Sequence, residues 1–229
     1  QIQPGRILDL GCGTGYTTAH LAAHYPDHPL TAVDISENML DQARKRLSGQ
    51  NTECVHADML EYMLSQPAES ASMIVSGWAI GYSKPDRLIK ESARLLIPGG
   101  TFAFVVNYAD TLHPILFAFR KCMFQFPEKV TMAYIPHFPK NWAILRKMLQ
   151  RHGFNITWHD EGEQVIIPPE HTKEDGLLSW LLKTGVLAGF DQMLPLTEHG
   201  EVTQYFEQLL QANNEPITHH YVSVVAKCG

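Results

Sequence analysis

Short apolar runs, each about the length of one strand, recur along the first half of the chain. The apolar runs are 6–11, 30–36, 52–60, 72–80 and 101–108. The segments between them that have helical spacing are 16–25, 37–47 and 84–100. Runs that are apolar throughout suit strands that are buried on both faces. Strands that alternate with helices predict right-handed βαβ units, and therefore a doubly wound, mostly parallel α/β sheet.

Two helix ends carry recognisable signals. Ser36 stands directly before the second helical segment, where a side-chain hydroxyl can cap the first turn. Pro98 and the glycines that follow it are predicted to end the third helical segment.

The regular alternation stops after residue 108. Segment 109–139 holds prolines beside aromatic residues, and glycines and prolines interrupt the helical composition of 170–213. The elements predicted around them are a helix at 141–154, a strand near 154–167 and a final strand at 218–227. We therefore expect a single domain, 1–229, with two helical cap or lid insertions at 109–140 and 168–215.

The first predicted strand runs into the sequence LDLGCGTGY at 8–16. Three glycines without Cβ atoms allow a tight turn and a close approach of a ligand to the backbone. The dinucleotide fingerprint is G-x-G-x-x-G, whereas Tyr16 stands here where the third dinucleotide glycine belongs. Asp9 suits a positively charged ligand and would repel a pyrophosphate. A plain strand-to-helix turn is the alternative.

Carboxylates also close the next two predicted strands. Asp34 stands where a carboxylate can accept both hydroxyls of a ribose, and its alternative role is a helix cap. Asp58, in HADM, can accept a hydrogen bond from an adenine amino group. Its alternative is an acid in a surface loop.

Composition narrows the class of protein. The chain has 229 residues, 45% of them hydrophobic and 18% charged, which suits one domain with a sizeable core. A formal net charge of −6 gives no general reason to expect a nucleic-acid partner. The cysteines form no C-x-x-C pair, which favours reduced thiols, a cytoplasmic protein and no metal site.

Targeting signals are not recognisable in this sequence. No apolar run reaches the length of a membrane span, and no signal peptide precedes the first strand. The chain begins with Gln only a few residues before that strand, from which we expect that an N-terminal segment is missing.

In their order and spacing, ILDLGCGTG, VDIS followed by ML and an alanine, AD, and LLIPGG resemble class I S-adenosylmethionine-dependent methyltransferases. The resemblance covers 6–108 well and points to the branch that acts on small molecules, including malonyl-carrier-protein, trans-aconitate and heteroaromatic acceptors of secondary metabolism. It implies a Rossmann-like seven-stranded sheet whose reversed last strand is 218–227. It also implies S-adenosylmethionine at the carboxyl ends of strands one, two and four.

The resemblance further implies roles for individual side chains. Asp9 and Gly11 would lie near the methionine end of the cofactor, and Asp34 would hold the ribose. Ile35 and Met39 would flank the adenine. The full set that we expect at the cofactor is Asp9, Gly11, Cys12, Gly13, Gly15, Tyr16, Asp34, Ile35, Met39, Asp58, Met59, Ser76 and Trp78.

The fourth strand departs from the family pattern. Ser72 and Gly81 stand where many relatives have an acidic residue and a histidine, so one candidate base is missing. Segment 76–82 is still expected to line the methyl-donor pocket, with Trp78 and Tyr82 near it. Core packing is the alternative for both aromatic side chains.

The acceptor is expected to be a small molecule. No N/D-P-P-Y signature follows the fourth strand, and the net charge is acidic. The Phe-rich run after strand five, together with Trp180 and Phe190, suits a lid that excludes water and accepts an aromatic or acyl substrate. A dimer interface or a second small core is the alternative, so we expect a monomer or homodimer without membrane or nucleic-acid partners.

A general base is needed only where the nucleophile keeps its proton. The candidates lie beyond strand five, where catalytic side chains gather. His113 ranks first, His137 second, and Tyr108 completes the catalytic set; Asp110 is a further candidate. The pair His219–His220 is interpreted as a feature of the sheet edge.

These observations favour an S-adenosylmethionine-dependent methyltransferase that acts on oxygen or nitrogen of a small metabolite. A non-catalytic partner subunit that binds S-adenosylmethionine is the first alternative. An NAD-dependent oxidoreductase is the second, and both Tyr16 and Asp9 disfavour it.

Overall fold

The computed structural model describes residues 3–131, 136–169, 176–183, 186–187, 193–213 and 215–229. The strands are β1 Ile7–Leu10, β2 Leu30–Asp34, β3 Thr52–His56, β4 Ala71–Gly77, β5 Leu96–Asn107, β6 Phe154–Val165 and β7 Thr218–Cys228. The helices are α1 Tyr16–His24, α2 Glu37–Arg46, α3 Met59–Ser65, α4 Pro85–Leu95, α5 His113–Gln125, α6 Trp142–Arg151, α7 Leu177–Lys183 and α8 Glu201–Ala212. A 3-10 turn, Ile80–Tyr82, follows β4, and a second one, Pro127–Lys129, follows α5.

The strands form one seven-stranded sheet in the order β3-β2-β1-β4-β5-β7-β6. Strands β1 to β5 pair in parallel, and β7 runs antiparallel to β5. The chain moves outward from β1 to β3 and then returns to place β4 on the other side of β1. In open α/β sheets, ligands bind at the carboxyl ends of strands beside such a reversal. The expected fold class, with its reversed last strand, is confirmed.

Helices cover both faces of this sheet. Leu8, Leu10 and Ile74 pack with apolar residues of α3, α4 and α6 on one face. On the other face, Ile7 packs against α1 and Ala32 against α2. All four residues of β1 are buried, because helices lie against both of its faces. This explains why the strand reads as an unbroken apolar run apart from Asp9.

Three predicted boundaries in the first half are wrong. Strand β4 ends at Gly77 rather than at residue 80, where a 3-10 turn begins. Strand β3 ends at His56 rather than at residue 60, because the Asp58 carboxylate accepts from the backbone N–H groups of Leu60 and Glu61 and starts α3. Helix α4 ends at Leu95, and the LIPGG sequence belongs to β5, where Leu96 pairs with Ala71. A register shift between Ala71 and Met73 absorbs the glycines.

The predicted cap on α2 is also different from the structure. Ser36 occupies the N-cap position, but its side chain makes no capping hydrogen bond. Its backbone N–H instead donates to Asp34 Oδ1 at 2.9 Å.

The chain divides into two compact units. The first comprises 1–109, 136–162 and 221–229, and the second comprises 110–135 and 163–220. In the second unit, α5 packs on α8 around buried Ile115, Phe119 and Phe206. Helix α5, residues 113–125, lies within the segment 109–140 that was expected as a helical cap or lid insertion. Trp180 is partly buried in this core, whereas Phe190 lies outside the described residues.

None of the helices within the described ranges is long and apolar enough to cross a membrane.

Mutation of the two N-cap residues tests whether Asp58 caps α3 while the Ser36 side chain leaves α2 uncapped. We expect Asp58→Ala to lower the free energy of unfolding by about 1 kcal/mol, because two backbone N–H groups lose their acceptor. Ser36→Ala is the matched control and should change it by less than about 0.5 kcal/mol. Urea unfolding followed by circular dichroism measures both values. Equal losses in the two variants would contradict the assignment of Asp58 as the only side-chain cap of the pair.

Candidate cofactor-binding site

The loop between β1 and α1 takes a conformation that requires glycine. Gly11 has φ 73°, and a Cβ atom there would lie 2.2 Å from the Cβ of Ala79. Gly13 has φ 54°, but a Cβ atom there would meet no atom of the described residues within 4 Å. Glycine at 11 therefore allows the loop to touch the turn after β4. Glycine at 13 borders open space, which is where a ligand can approach the backbone.

Asp9 is a buried carboxylate directly beneath this loop. Its side chain is 1% exposed, and its Oδ2 accepts a 2.6 Å hydrogen bond from the hydroxyl of Thr18. Oδ1 is buried and has no hydrogen-bond partner within the described part of the chain. Burial raises the pKa of Asp9 to about 6; the Thr18 hydrogen bond lowers it in part, and the charge of Asp34 raises it further. A cationic group of a ligand would compensate this carboxylate.

Asp34 joins the first two loops at the carboxyl edge. Its Oδ2 accepts from the backbone N–H of Gly13 at 2.7 Å, and its Oδ1 accepts from that of Ser36 at 2.9 Å. An ionised carboxylate has about four acceptor positions, so two remain for the hydroxyls of a ribose. The side chain is half-buried at the end of β2. This position and chemistry fit the predicted ribose-binding role.

Apolar side chains stand exposed where the adenine is expected. Ile35 is 69% exposed and Met39 is 38% exposed, although both are large hydrophobic residues. The ring of His56 holds the carbonyl of Ile35 at 2.9 Å. Exposed apolar residues that follow a β-strand can pack on a flat ligand.

The remaining predicted contacts divide into accessible and buried side chains. Tyr16 is 67% exposed, and the guanidinium of Arg46 lies over its ring at 5.9 Å while also donating to Thr14. Cys12 is buried, and burial raises the pKa of its thiol, so the sulfur stays protonated. Met59 approaches Gly11 and is half-buried. Asp58 is engaged as the cap of α3 on one oxygen, Oδ1.

Ser76 differs from the expectation of a direct contact. Its side chain is fully buried, and its hydroxyl donates to the carbonyl of Leu10 at 2.7 Å. This bond holds the carboxyl ends of β4 and β1 together. The Ser76 hydroxyl is therefore engaged with the neighbouring strand.

Trp78 follows β4 and is exposed to 41%. It has φ 64°, in the left-handed region that disfavours large side chains, and its backbone N–H donates to the carbonyl of Val105 at 2.9 Å. Its ring meets that of Tyr221 at 5.1 Å in an edge-to-face arrangement. Strain of this kind is concentrated at functional sites.

The three predicted catalytic residues lie in different environments. Tyr108 is 1% exposed, and its hydroxyl donates to Glu161 Oε2 at 2.7 Å, so it is a core residue that positions a carboxylate. His137 is exposed, and its backbone N–H donates to the carbonyl of Gly81 at 2.7 Å. His113 belongs to the second unit and pairs with Glu215 at 2.8 Å.

The segment that carries His137 explains the glycine at position 81. A Cβ atom on Gly81 would lie 2.3 Å from Cδ1 of Phe138, whose ring also contacts Tyr82 edge-to-face at 5.6 Å. The Pro139 carbonyl accepts from the backbone N–H of Ala109 at 3.0 Å. A histidine is thus brought to the end of β4 from a distant part of the sequence.

Two residues of this region are not identifiable as site residues from the sequence. Glu161 lies in the charged run HDEGEQ of β6, which reads as a solvated strand and gives no sign of its bond to Tyr108. Tyr221 pairs with Asn107 across β5 and β7, and only that register brings it to Trp78. The structure also pairs His220 Nδ1 with Asp110 at 2.8 Å in the second unit.

The residues present fit S-adenosylmethionine better than a dinucleotide. The unpartnered, buried oxygen of Asp9 offers a negative charge where a dinucleotide loop must accept a pyrophosphate. The open space at Gly13, the carboxylate of Asp34 and the exposed Ile35 and Met39 match the loop, ribose and adenine requirements. Within the described ranges, no group of three potential ligands forms a metal site.

Comparisons with known proteins agree with this geometry. Residues 7–100 match a family model described as a methyltransferase domain. The malonyl-[acyl-carrier protein] O-methyltransferase of Brevibacillus brevis is 29% identical over 166 residues, which are 69% of this chain and 53% of the relative. The trans-aconitate 2-methyltransferase of Sinorhizobium fredii is 35% identical over 109 residues, 47% of this chain and 40% of the relative.

A solved structure extends the likeness to the fold. The S-adenosylmethionine-dependent methyltransferase of Mesorhizobium loti superimposes with a TM-score of 0.55 at 19% identity, over 99% of this chain and 92% of that one. At this identity the likeness concerns the fold alone. The chain spans about half the length of the curated relatives that it matches, 53% in the first case.

The buried charge of Asp9 predicts a pH-dependent stability. Because its folded pKa of about 6 exceeds the usual 3.8, the folded protein binds this proton more tightly than the unfolded chain. The free energy of unfolding should therefore fall as the pH rises from about 4 to 6. Asp9→Asn removes the charge, and we expect it to raise this free energy at pH 8 by up to about 3 kcal/mol.

The gain from Asp9→Asn should vanish near pH 4, where the wild-type carboxyl is protonated. Urea unfolding of the ligand-free protein at both pH values measures this difference. The exposed Asp27→Asn is the matched control, with an expected change under about 0.5 kcal/mol. A gain of the same size at pH 4 and pH 8 would show that the charge of Asp9 is not its cause.

Proposed function

We propose that this chain, whose residues 7–100 match a family model described as a methyltransferase domain, is a class I S-adenosylmethionine-dependent methyltransferase that transfers a methyl group to an oxygen or nitrogen atom of a small metabolite. The observation that carries the proposal is the buried Asp9 carboxylate beneath the glycine loop, with Oδ1 unpartnered among the described residues. A positively charged ligand would compensate the charge of such a group.

The proposed roles of the binding residues follow from their chemistry. Asp9 attracts the ammonium group of the cofactor, and Asp34 accepts the ribose hydroxyls. Ile35 and Met39 cover the adenine. When it is bound, S-adenosylmethionine supplies a sulfonium methyl group that a nucleophile's lone pair attacks in line, while the carbon–sulfur electron pair remains on the thioether product. The protein aids this step chiefly by holding both reactants in position.

The need for a base depends on the acceptor. A carboxylate has already lost its proton at neutral pH, so its methylation requires orientation only. A hydroxyl or amine nucleophile gives up a proton, for which we propose the exposed imidazole of His137, whose backbone N–H is bonded to Gly81 in the turn after β4. Glu161, held by Tyr108, is the second group at this edge that can accept a proton.

The class of acceptor follows the relatives only in outline. Two of them act, by their names, on a malonyl carrier-protein conjugate and on trans-aconitate. Both acceptors carry carboxyl groups, which supports an acyl or carboxylate substrate for this chain. The exposed ring of Trp78 leaves an aromatic or heteroaromatic acceptor as the other proposal.

Titration calorimetry tests the cofactor. We expect S-adenosylhomocysteine to bind the wild-type chain and NAD not to bind. Asp34→Ala should weaken S-adenosylhomocysteine binding at least tenfold, about 1.4 kcal/mol, because the ribose hydroxyls lose their acceptor. An analogue without the two ribose hydroxyls should lose less than about threefold on the same substitution.

The exposed Asp41→Ala in α2 is the control and should bind both ligands as the wild type does. If Asp34→Ala weakened the binding of both ligands equally, Asp34 would only connect the two loops and would not bind the ribose hydroxyls. Binding of NAD without S-adenosylhomocysteine would overturn the proposed function.

The base assignment predicts a split between acceptors. Formation of S-adenosylhomocysteine should be measured with a dicarboxylate, an acyl thioester that bears a carboxylate, a hydroxylated aromatic and a heteroaromatic amine. For acceptors that lose a proton, we expect His137→Ala to lower kcat by about a hundredfold. For carboxylates, kcat should stay within about twofold.

His24→Ala, an exposed histidine of α1, is the matched control and should leave both classes unchanged. A loss with Glu161→Gln and none with His137→Ala would move the proton acceptor to Glu161. Binding of the cofactor without turnover on any acceptor would favour a non-catalytic partner subunit.

A further inference from the structure

We infer that Trp78, supported by Tyr221 on Gly162, forms an aromatic subsite that recognises the positive charge of the sulfonium group. This inference rests on the proposed function and adds a discrimination to it: the site would favour the charged methyl donor over the neutral product. It assigns roles to Tyr221 and Gly162, two residues outside the glycine loop.

The backbone around Trp78 brings it to the cofactor loop. The residue after it, Ala79, lies so close to Gly11 that a Cβ atom on Gly11 would be 2.2 Å from the Ala79 Cβ. The residue two before it, Ser76, is tied to Leu10 by a 2.7 Å hydrogen bond. Ser76 and Ala79, which flank Trp78, therefore contact the end of β1 and the loop that begins there.

The conformation of Trp78 is one that the surrounding structure must hold in place. At φ 64° a tryptophan is strained, and a glycine would adopt this backbone without cost. The bond from its N–H to the carbonyl of Val105 pins the strained backbone to β5. The ring remains 41% exposed, so the strain places an aromatic surface at the carboxyl edge of the sheet rather than in the core.

Tyr221 fixes the ring from the side. Its pairing with Asn107 sets its position on β7, and its ring meets Trp78 edge-to-face at 5.1 Å. Opposite Tyr221, a Cβ atom on Gly162 would lie 2.7 Å from both Cζ and the hydroxyl oxygen. Only a glycine at 162 leaves space for the tyrosine in this position.

The chemistry of the region favours a cation. The faces of tryptophan and tyrosine carry negative electrostatic potential and attract cations within about 6 Å, and a desolvated cation gains the most. The same loop end holds the buried carboxylate of Asp9. A ligand with one charge near Asp9 and a second near Trp78 has the charge pattern of the donor, whose ammonium and sulfonium groups both lie at its methionine end.

The test compares three ligands by titration calorimetry. S-adenosylmethionine has a charged sulfonium, S-adenosylhomocysteine a neutral thioether, and sinefungin a charged amine in place of the methylated sulfur. We expect Trp78→Gly to weaken S-adenosylmethionine and sinefungin by about tenfold and S-adenosylhomocysteine by less than about twofold. Glycine suits the backbone at 78, so this variant should fold.

Two further variants test the support of the ring. Tyr221→Leu and Gly162→Ala should each reduce the preference for the charged ligands, by about threefold, because Trp78 loses its neighbour or the neighbour is displaced. Gly200→Ala is the matched control, since a Cβ atom there would meet no atom within 4 Å in the part of the chain that the structure describes. It should leave the preference unchanged.

The outcomes separate this inference from the proposed function. Equal weakening of all three ligands by Trp78→Gly would show that the ring acts through contact alone and would overturn the inference. Unchanged binding of all three ligands would show that the ring lies outside the site and would also overturn the inference. Failure of the wild type to bind any of the three would overturn the proposed function itself.

Discussion

The structure depends on how closely the loop after β1 approaches the turn after β4. Gly11 and Ala79 are in direct contact there, and no residue with a Cβ atom could replace the glycine without moving one of the two segments. This contact lies at the reversal of strand order, where β1 separates β2 from β4. The bond from Ser76 to Leu10 and the strained backbone of Trp78 lie beside this contact. The contact thus determines the shape of the proposed site.

The buried charge of the site is unfavourable in the ligand-free protein, and a bound ligand can compensate it. Asp9 is buried with one oxygen unpartnered in the described part of the chain. The Asp34 carboxylate accepts one hydrogen bond from each of two loops. Sites of this kind commonly reduce the stability of the ligand-free protein in return for affinity. A cationic ligand compensates the charge of Asp9 that the fold by itself leaves uncompensated. Binding and stability are therefore coupled through a single carboxylate.

The fold leaves the acceptor open, because the same sheet and loop support many methyl acceptors. What differs in this chain is the edge beyond the loop. Phe138 fills the space over Gly81, and the backbone N–H of the neighbouring His137 donates to the Gly81 carbonyl. Tyr108 is committed to Glu161 and to the core, which leaves the carboxylate rather than the phenol exposed. Substrate choice on this fold is a matter of such local exchanges.

The family resemblance implied the reversed last strand. The amino-acid sequence by itself determined the alternation of strands and helices and the glycine loop with Asp9 and Asp34. Each of these depends on neighbouring residues: apolar period, turn glycines and carboxylates at strand ends. Helix α3 and the start of β5 were mistaken because a capping Asp58 and the sequence LIPGG each fit two local structures. Only the tertiary structure decided that Ser76 is buried and that Tyr221 meets Trp78. It alone also brought His137 to Gly81. Those contacts join residues far apart in the chain, and strand register and packing, which no local pattern encodes, bring them together.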